Sequence, residues 1–136
     1  MAITDATDGS RTVIKGDGEC KVTLAATCKV GDVLGYSSGW KPALATGGGT
    51  VIQGRLVAGQ RGDSADVIVA YRKATLYYGS YAGTAGNTLY VAEGTATGGI
   101  TDTAPSSSAD ASTIIGYVAS STTVILEPGS RSDATT

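Results

Sequence analysis

The residues able to carry out chemistry in this 136-residue chain are few. Histidine is absent, so the sequence holds no Ser-His-Asp triad, Cys-His pair, imidazole metal ligand or imidazole acid–base group. The two cysteines, Cys20 and Cys28, are too few for a four-thiolate zinc site and do not form a Cys-x-x-Cys pair. The three glutamates (Glu19, Glu93 and Glu127) lie far apart in sequence. We therefore predict a protein that is not an enzyme and uses no cofactor and no metal ion.

The two cysteines leave two interpretations open. Cys20 and Cys28 flank residues 21–27 and would form a disulfide if they lay opposite each other in a hairpin, where facing Cβ atoms are about 4.5–5.5 Å apart. Alternatively, both are buried free thiols that act as small apolar side chains in a protein made in a reducing cytoplasm.

Aromatic side chains are the first candidates for binding. Trp40, the only tryptophan, lies in a turn-like segment and is either an interface anchor or a plug that closes one end of a barrel. Tyr77, Tyr78 and Tyr81 form a cluster further along the chain. Because successive residues of a strand face opposite sides, Tyr77 and Tyr81 should share one face and Tyr78 the other. Such a face suits a sugar ring, a subunit interface or a half-buried position.

Charged residues add weaker indications. Arg72 and Lys73 precede the tyrosines and predict either a solvated turn or ion pairs with an acidic partner. Residues 61–63 spell the adhesive tripeptide Arg-Gly-Asp, and the aspartates of 5–8 and 63–66 offer oxygen ligands for calcium, but ordinary turns explain all three segments. Ten scattered basic residues against twelve acidic ones predict no nucleic-acid binding, and the sequence contains no apolar run long enough to span a membrane.

The hydrophobic pattern indicates the fold that must position these residues. Apolar residues alternate over short β-branched runs bounded by Gly, Asp, Ser, Asn or Pro, which is typical of strands joined by turns. The predicted strands are Val22–Leu24, Val33–Tyr36, Val51–Ala58, Val67–Tyr71, Leu89–Val91, Ile114–Val118 and Val124–Leu126. We therefore predict an all-β, small single-domain β-barrel or β-sandwich.

The predicted domain has irregular flanks. Residues 1–14 are expected to form an N-terminal arm, 15–128 the β-domain and 129–136 a polar C-terminal tail. Within the domain, residues 102–112 are small and polar and predict an exposed loop.

The segments 31–71 and 86–127 suggest a loose internal duplication. Gly31 aligns with Gly86, Val57-Ala58 with Val118-Ala119, and residues 67–69 with 124–126. A chance similarity between short strands of simple composition explains the same pattern, so both interpretations stay open.

A family resemblance rests on three segments: Val30-Gly-Asp-Val-Leu-Gly-Tyr-Ser-Ser-Gly-Trp-Lys-Pro-Ala43, Val51-Ile-Gln-Gly-Arg-Leu-Val-Ala-Gly59 and Asp66-Val-Ile-Val-Ala-Tyr71. Over residues 15–127 the chain resembles the small β-rich capsid decoration (cement) proteins of tailed bacteriophages. The resemblance implies a virion protein, made in the host cytoplasm, that binds the major capsid protein on the outer surface of the assembled head and stabilises it. It also implies self-association, with a trimer as one form, and an N-terminal arm that becomes ordered on the capsid.

Two other functions stay open. One is a carbohydrate-binding or adhesin module that uses the Tyr77/Tyr81 face, and the other is a different virion component, such as a tail or head-fibre part. The candidate interface residues are Ile3, Arg11, Trp40, Arg72, Lys73, Tyr77, Tyr78 and Tyr81.

Overall fold

The computed structural model describes residues 11–47, 51–78, 83–93 and 98–136. These residues contain no helix and form one curled antiparallel sheet, a half-barrel, so the predicted small all-β fold is confirmed. The strands are β1 (Thr12–Thr23), β2 (Val33–Tyr36), β3 (Trp40–Pro42), β4 (Leu56–Ala58), β5 (Val67–Tyr77), β6 (Thr88–Val91), β7 (Ile100–Thr101), β8 (Ile114–Val118) and β9 (Thr123–Leu126). A helix long and apolar enough to cross a membrane is absent from these described ranges.

The strand order gives the sheet two similar halves. Neighbouring strands follow the order β3-β2-β4-β5-β9-β8-β6-β7, and β1 pairs with β5 outside this path. The first half consists of β2 to β5 and the second half of β6 to β9. In each half the first strand pairs with both the second and the third, and the third pairs with the fourth. The two fourth strands, β5 and β9, pair with each other, so the halves meet there.

The turn that precedes β2 is held by three backbone hydrogen bonds. Gly31, at a φ of 84°, donates to the carbonyl of Ala58, and Ala58 donates back to the carbonyl of Asp32 at 2.8 Å. The amide of Asp32 also donates to the carbonyl of Lys29 at 3.1 Å. Glycine suits this turn because a left-handed backbone strains other residues.

The turn that precedes β6 repeats this arrangement. Gly86, at a φ of 89°, donates to Val118, which donates back to Asn87, and Asn87 donates to Thr84. The sequence alignment of Gly31 with Gly86 therefore agrees with the hydrogen bonding. The bonds make Ala58 equivalent to Val118, one residue before the alignment drawn from sequence. The connectivity repeats, while the duplication itself stays a prediction.

Two hydrophobic clusters hold the sheet together. The larger contains Val33 and Val57 from the first half with Leu89, Val118 and Val124 from the second. The smaller lies on the other face of the first half, where the end of β1 covers it; it comprises Val22, Leu24, Cys28, Leu34, Leu56, Ala58, Ile68 and Ala70. In the first half, residues 33–35 of β2 and all of β4 are thus buried on both faces.

Three predicted boundaries differ from the structure. β1 begins at Thr12, inside the predicted arm, because residues 12–23 pair with β5 along most of its length. β5 continues to Tyr77 instead of ending at Tyr71, since β1 and β9 both pair with its second part. Of the predicted strand 51–58, only Leu56–Ala58 is a strand.

The C-terminal segment is tied to the domain, although its last residues expose their side chains. The amide of Ser112 donates to the carbonyl of Ala134 at 2.9 Å, and the amide of Ala134 donates to Thr113 Oγ1 at 2.6 Å. Asp110, at 2% exposure, is buried within the stretch predicted as an exposed loop. That prediction is wrong at this residue because the C-terminal segment packs back onto residues 109–113.

Candidate functional site

A groove of about 760 Å³ opens beside the β2–β3 hairpin and is the first candidate binding site. β1, β2, β3, β4 and β5 contribute to its walls, together with the residues that follow β9. The volume falls within the range of about 300–1,000 Å³ that is typical of small-molecule sites. We call this feature the groove.

One wall of the groove is aromatic. Tyr36 and Trp40 are directly opposed in the β2–β3 hairpin, and their ring centroids lie 5.5 Å apart with the planes at 82°. Gly39, at a φ of 127°, allows the tight turn between them. Trp40 also packs against the smaller cluster, whereas Tyr36 is 66% exposed. Trp40 therefore packs against the core and also lines an accessible surface, while its role as an interface anchor stays a prediction.

The opposite wall is charged. Arg72 and Lys73, both exposed, lie between the part of β5 that enters the smaller cluster and the part that enters the larger one. Arg72 extends across Gly18, where a methyl group would collide with its Nε atom. Lys73 faces Asp17 of β1 in register. The structure thus brings three of the sequence candidates, Trp40, Arg72 and Lys73, into one groove.

A third cation, Arg55, is already paired. Its Nη1 and Nη2 atoms donate to Asp133 Oδ1 and Oδ2 at 2.7 and 2.8 Å, a bidentate contact with the C-terminal segment. This hydrogen bonding lowers the pKa of Asp133 and raises that of Arg55. With Arg55 paired, the groove is lined by two further cations, Arg72 and Lys73, and by the carboxylates of Asp17 and Glu127. Asp17 Oδ2 lies 4.0 Å from the exposed Lys15 Nζ, a weaker contact than the bidentate one, so the carboxylate still counts toward a balanced lining.

Arg11 and Tyr78 are removed from the interface candidates by their burial. Arg11 is 1% exposed, and its guanidinium lies over the Tyr78 ring at 5.6 Å and donates to the Tyr78 hydroxyl at 3.4 Å. Tyr78 is also 1% exposed, so neither side chain offers surface to a partner. Ile3 and Tyr81 lie outside the described residues.

Tyr77, the last residue of β5, is 41% exposed, whereas the next residue, Tyr78, is buried. Tyr77 belongs to a second candidate surface, and the face that it should share with Tyr81 stays a prediction. Along consecutive strands, Thr75 pairs with Ile125, Ile125 with Tyr117, and Tyr117 with Thr88. Tyr77 pairs with Thr123 two residues further along β5. We call the surface formed by Thr75, Tyr77, Thr88, Tyr117, Thr123 and Ile125 the outer sheet face.

The six residues of the outer sheet face are uncharged, and exposed apolar groups lie on it and beside it. Charged residues begin at its borders, where Lys15 pairs with Thr75 and where Lys73 and Glu127 lie next to Tyr117. Tyr77 is 41% exposed and Tyr117 49%, and Ile14, at the β-bulge of the neighbouring β1, is 59% exposed.

Because the hydrogen-bonded turns make Ala58 equivalent to Val118, Val57 of the first half is equivalent to Tyr117 of the second. Val57, however, is fully buried in the larger cluster. The second half therefore leaves open a face that the first half buries.

One carboxyl pair was missed by sequence reasoning. Glu93 and Asp110 are distant in sequence, yet a hydrogen bond between them raises the pKa of Glu93 and lowers that of Asp110. Asp110 Oδ1 also accepts a hydrogen bond from the Gly47 amide at 2.7 Å. Ala45 donates to the carbonyl of Ala92 and accepts from the amide of Ala111, which brings the two carboxyl groups together, and no local motif marks the pair.

The remaining candidates occupy ordinary structural positions. Within the described ranges, no three His, Cys, Asp or Glu side chains group so that they could hold a metal ion. Asp63 and Asp66 form a hydrogen-bonded turn, with the Asp63 amide donating to Asp66 Oδ2 at 2.8 Å. Cys20 and Cys28 are not joined by a disulfide, and the buried Cys28 donates from Sγ to the carbonyl of Gln60 at 3.6 Å.

Comparisons with known proteins found no similar protein. No protein-family model matches the chain, and no curated protein or solved structure resembles it significantly. The class that the structure itself defines is a small all-β protein with an aromatic, charge-balanced groove and an uncharged sheet face.

Proposed function

We propose that this chain is a capsid decoration protein that binds the outer surface of an assembled phage head through its outer sheet face and stabilises the head. The partner is inferred from the resemblance of residues 30–43, 51–59 and 66–71 to that family. The observation that carries the attachment is the clustering of Tyr77, Tyr117 and Ile14 on and beside one uncharged face.

The composition of this face favours protein contact. Tyrosine is enriched at binding hot spots because it combines a large apolar ring with a hydroxyl group and has few rotatable bonds. Fully burying a large apolar side chain contributes about 1.5–3 kcal/mol, so Tyr77, Tyr117 and Ile14 together supply a useful part of an interface. The threonines between them offer hydroxyl groups without introducing a buried charge.

The face is also rigid before binding. β5, β9 and β8 are interior strands of the sheet, and each is paired along both edges. A surface built on such strands loses little conformational freedom when it docks, which favours affinity. Many copies bound to one repeating shell would act in parallel, so modest affinity for each contact is sufficient to stabilise the shell.

The proposal is tested by co-sedimentation with DNA-free, expanded heads of the phage whose genome carries the gene, prepared without this chain. We expect the wild type to pellet with the heads and to raise their disruption temperature. Tyr117→Lys, which places a charge in the centre of the outer sheet face, should abolish both effects. The matched control is Tyr36→Lys, a substitution of an exposed tyrosine in the groove, which should bind as the wild type does.

Three results would overturn the proposal. They are a wild type that stays in the supernatant, a Tyr117→Lys variant that is folded by circular dichroism and binds normally, and a gene that lies outside any phage or prophage genome. Binding that is lost only in Tyr36→Lys would move the attachment site to the groove and would contradict the proposed use of the outer sheet face.

A further inference from the structure

We propose that the groove is a binding site for a neutral glycan. The groove adjoins the outer sheet face, since Lys73 and Glu127 line both the groove and the neighbouring depression that contains Tyr117. The aromatic corner lies outside that depression, and occupation of the groove does not depend on attachment to a capsid. The groove also differs from the Tyr77/Tyr81 face on which the sequence placed a possible sugar site. The inference rests on the aromatic corner, the balanced charges and the fixed geometry of the groove.

The aromatic corner provides the apolar part of the site. The apolar face of a sugar ring packs on an aromatic side chain, and a groove with exposed aromatic groups suits such a ligand. Tyr36 and Trp40 stand nearly perpendicular with centroids 5.5 Å apart, so together they form two walls at a right angle. Tyr36 leaves 66% of its surface in water when the groove is empty, and a packed ring would cover part of it.

The charges select for a neutral ligand. Arg72 and Lys73 donate hydrogen bonds, whereas the carboxylates of Asp17 and Glu127 accept them. Neighbouring sugar hydroxyls both donate and accept, so they match this mixed set. A phosphate, a sulfate or an acidic peptide would meet two carboxylates in the same groove, and those carboxylates would offset the attraction of the two cations.

The charged part of the groove is positioned by β1 and by the C-terminal segment. Asp133 fixes Arg55 through two hydrogen bonds, and Arg72 lies across Gly18, where the absence of a side chain makes room for it. The β1–β5 register sets Lys73 opposite Asp17. Polar groups that are already oriented lose less freedom when a ligand binds.

The test uses the only tryptophan as the reporter. Because Trp40 is the single tryptophan of the chain and lines the groove, its fluorescence follows occupation of this site alone. The probes are the oligosaccharides of a neutral glycan array, followed by titration of the array hits. We expect a saturable change in emission at millimolar or lower concentration that does not weaken with added salt. Tyr36→Ala and Arg72→Met should each weaken binding by about tenfold.

Two further variants separate a neutral ligand from a charged one. Glu127→Gln should weaken binding of a neutral glycan by removing one of two charged acceptors, but it should strengthen binding of a sulfated oligosaccharide or an oligoglutamate peptide by removing a repulsive charge. Val67→Ala, at an exposed apolar position that lines neither the groove nor the outer sheet face, is the matched control and should bind the glycan normally. The proposal is overturned if no neutral oligosaccharide changes the Trp40 emission, if charged probes bind more tightly than neutral ones, or if Val67→Ala loses binding together with Tyr36→Ala.

Discussion

Arg11 and Asp32 form an ion pair inside the protein, with Arg11 Nη2 lying 3.1 Å from Asp32 Oδ1 and the two side chains 0% and 3% exposed. Asp32 Oδ2 also accepts a hydrogen bond from the Lys29 amide at 2.9 Å. Burial raises the pKa of Asp32 even though this hydrogen bond and Arg11 act in the opposite direction. For Arg11, burial alone would lower the pKa, but Tyr78 and Asp32 outweigh it and the pKa is raised. The pair ties the start of β1 to the turn before β2.

Removing one partner of this pair should be costly. Arg11→Met keeps a long apolar side chain but leaves the Asp32 carboxylate buried without its cation. We expect the free energy of unfolding in urea to fall by about 3–5 kcal/mol. Lys21→Met, at an exposed position of β1, is the control and should change stability by less than about 0.5 kcal/mol. Equal stabilities for the two variants would contradict this account of the pair.

The raised pKa of Asp32 has a defined pH signature. The folded protein holds the proton at pH values where the unfolded chain has released it, so this group contributes stability below its ordinary pKa of 3.8 and loses that contribution as pH rises through the folded pKa. We expect the difference in stability between the wild type and Asp32→Asn to change across this window and to be constant well above it. Urea titrations of both proteins at a series of pH values measure the difference. A difference that does not vary with pH would disprove the raised pKa.

The Arg55–Asp133 contact should matter locally rather than globally. Both side chains are more than one-third exposed, so Asp133→Asn should lower global stability by less than about 1 kcal/mol. Because the pKa of Asp133 is lowered, the contribution of this pair is present above the ordinary carboxyl pKa and is lost as pH falls through the folded value. Amide exchange of Ser112 and Thr136 should accelerate in Asp133→Asn, while exchange of Val124 on β9 should not. Unchanged exchange at Ser112 and Thr136 would show that the backbone hydrogen bonds alone hold the segment.

Two glycines should respond differently to alanine. At Gly116 a methyl group would overlap the backbone carbonyl of Ile125, so Gly116→Ala must displace β8 from β9. At Gly86 no atom lies within 4 Å, and the cost of alanine is the strain of a φ of 89°. We expect a loss of about 1–2 kcal/mol for Gly86→Ala and a larger loss for Gly116→Ala, measured by thermal or urea unfolding. The reverse order would contradict the close packing of β8 against β9.

The cysteines should differ in reactivity without being linked. Alkylation of the native protein without reductant should modify the half-buried Cys20 first, whereas Cys28, at 1% exposure, should react only after unfolding. The intact mass should finally show two added groups. A mass that shows none after unfolding without reductant would indicate a disulfide.

The strands that alternate clearly were predictable from the sequence, and the ones that depend on distant partners were not. The bounds of β2 and β8 agree with the runs Val33–Tyr36 and Ile114–Val118, whose β-branched residues lie between turn residues. β1 was largely missed because Gly16 and Gly18 interrupt its pattern. Tyr71 packs over Gly16 and fills the space that a side chain would otherwise take, a contact with no local signal.

The groove was only partly predictable. Trp40, Arg72 and Lys73 were singled out by residue type, but the sequence did not indicate that the strand order β3-β2-β4-β5 would place them in one groove. Arg11 is of a residue type that is common at interfaces and lies in the predicted arm. It is nevertheless buried, because it contacts Asp32 and Tyr78, which are distant in sequence. A single sequence reveals residue types and local periodicity but not the partners that long-range pairing brings to a side chain.

The matching turns before β2 and β6 set limits on exchange between the two halves. Asp32 and Asn87 occupy equivalent positions in the two turns. The side-chain Nδ2 of Asn87 donates to Asp102 Oδ2 at 3.3 Å, whereas the carboxylate of Asp32 pairs with the guanidinium of Arg11. An aspartate at position 87 would therefore place its carboxylate against that of Asp102. An asparagine at position 32 would leave the Arg11 guanidinium without its counterion. The backbone hydrogen bonds of the two turns are therefore equivalent, but the side chains at positions 32 and 87 are each compatible only with their own neighbours.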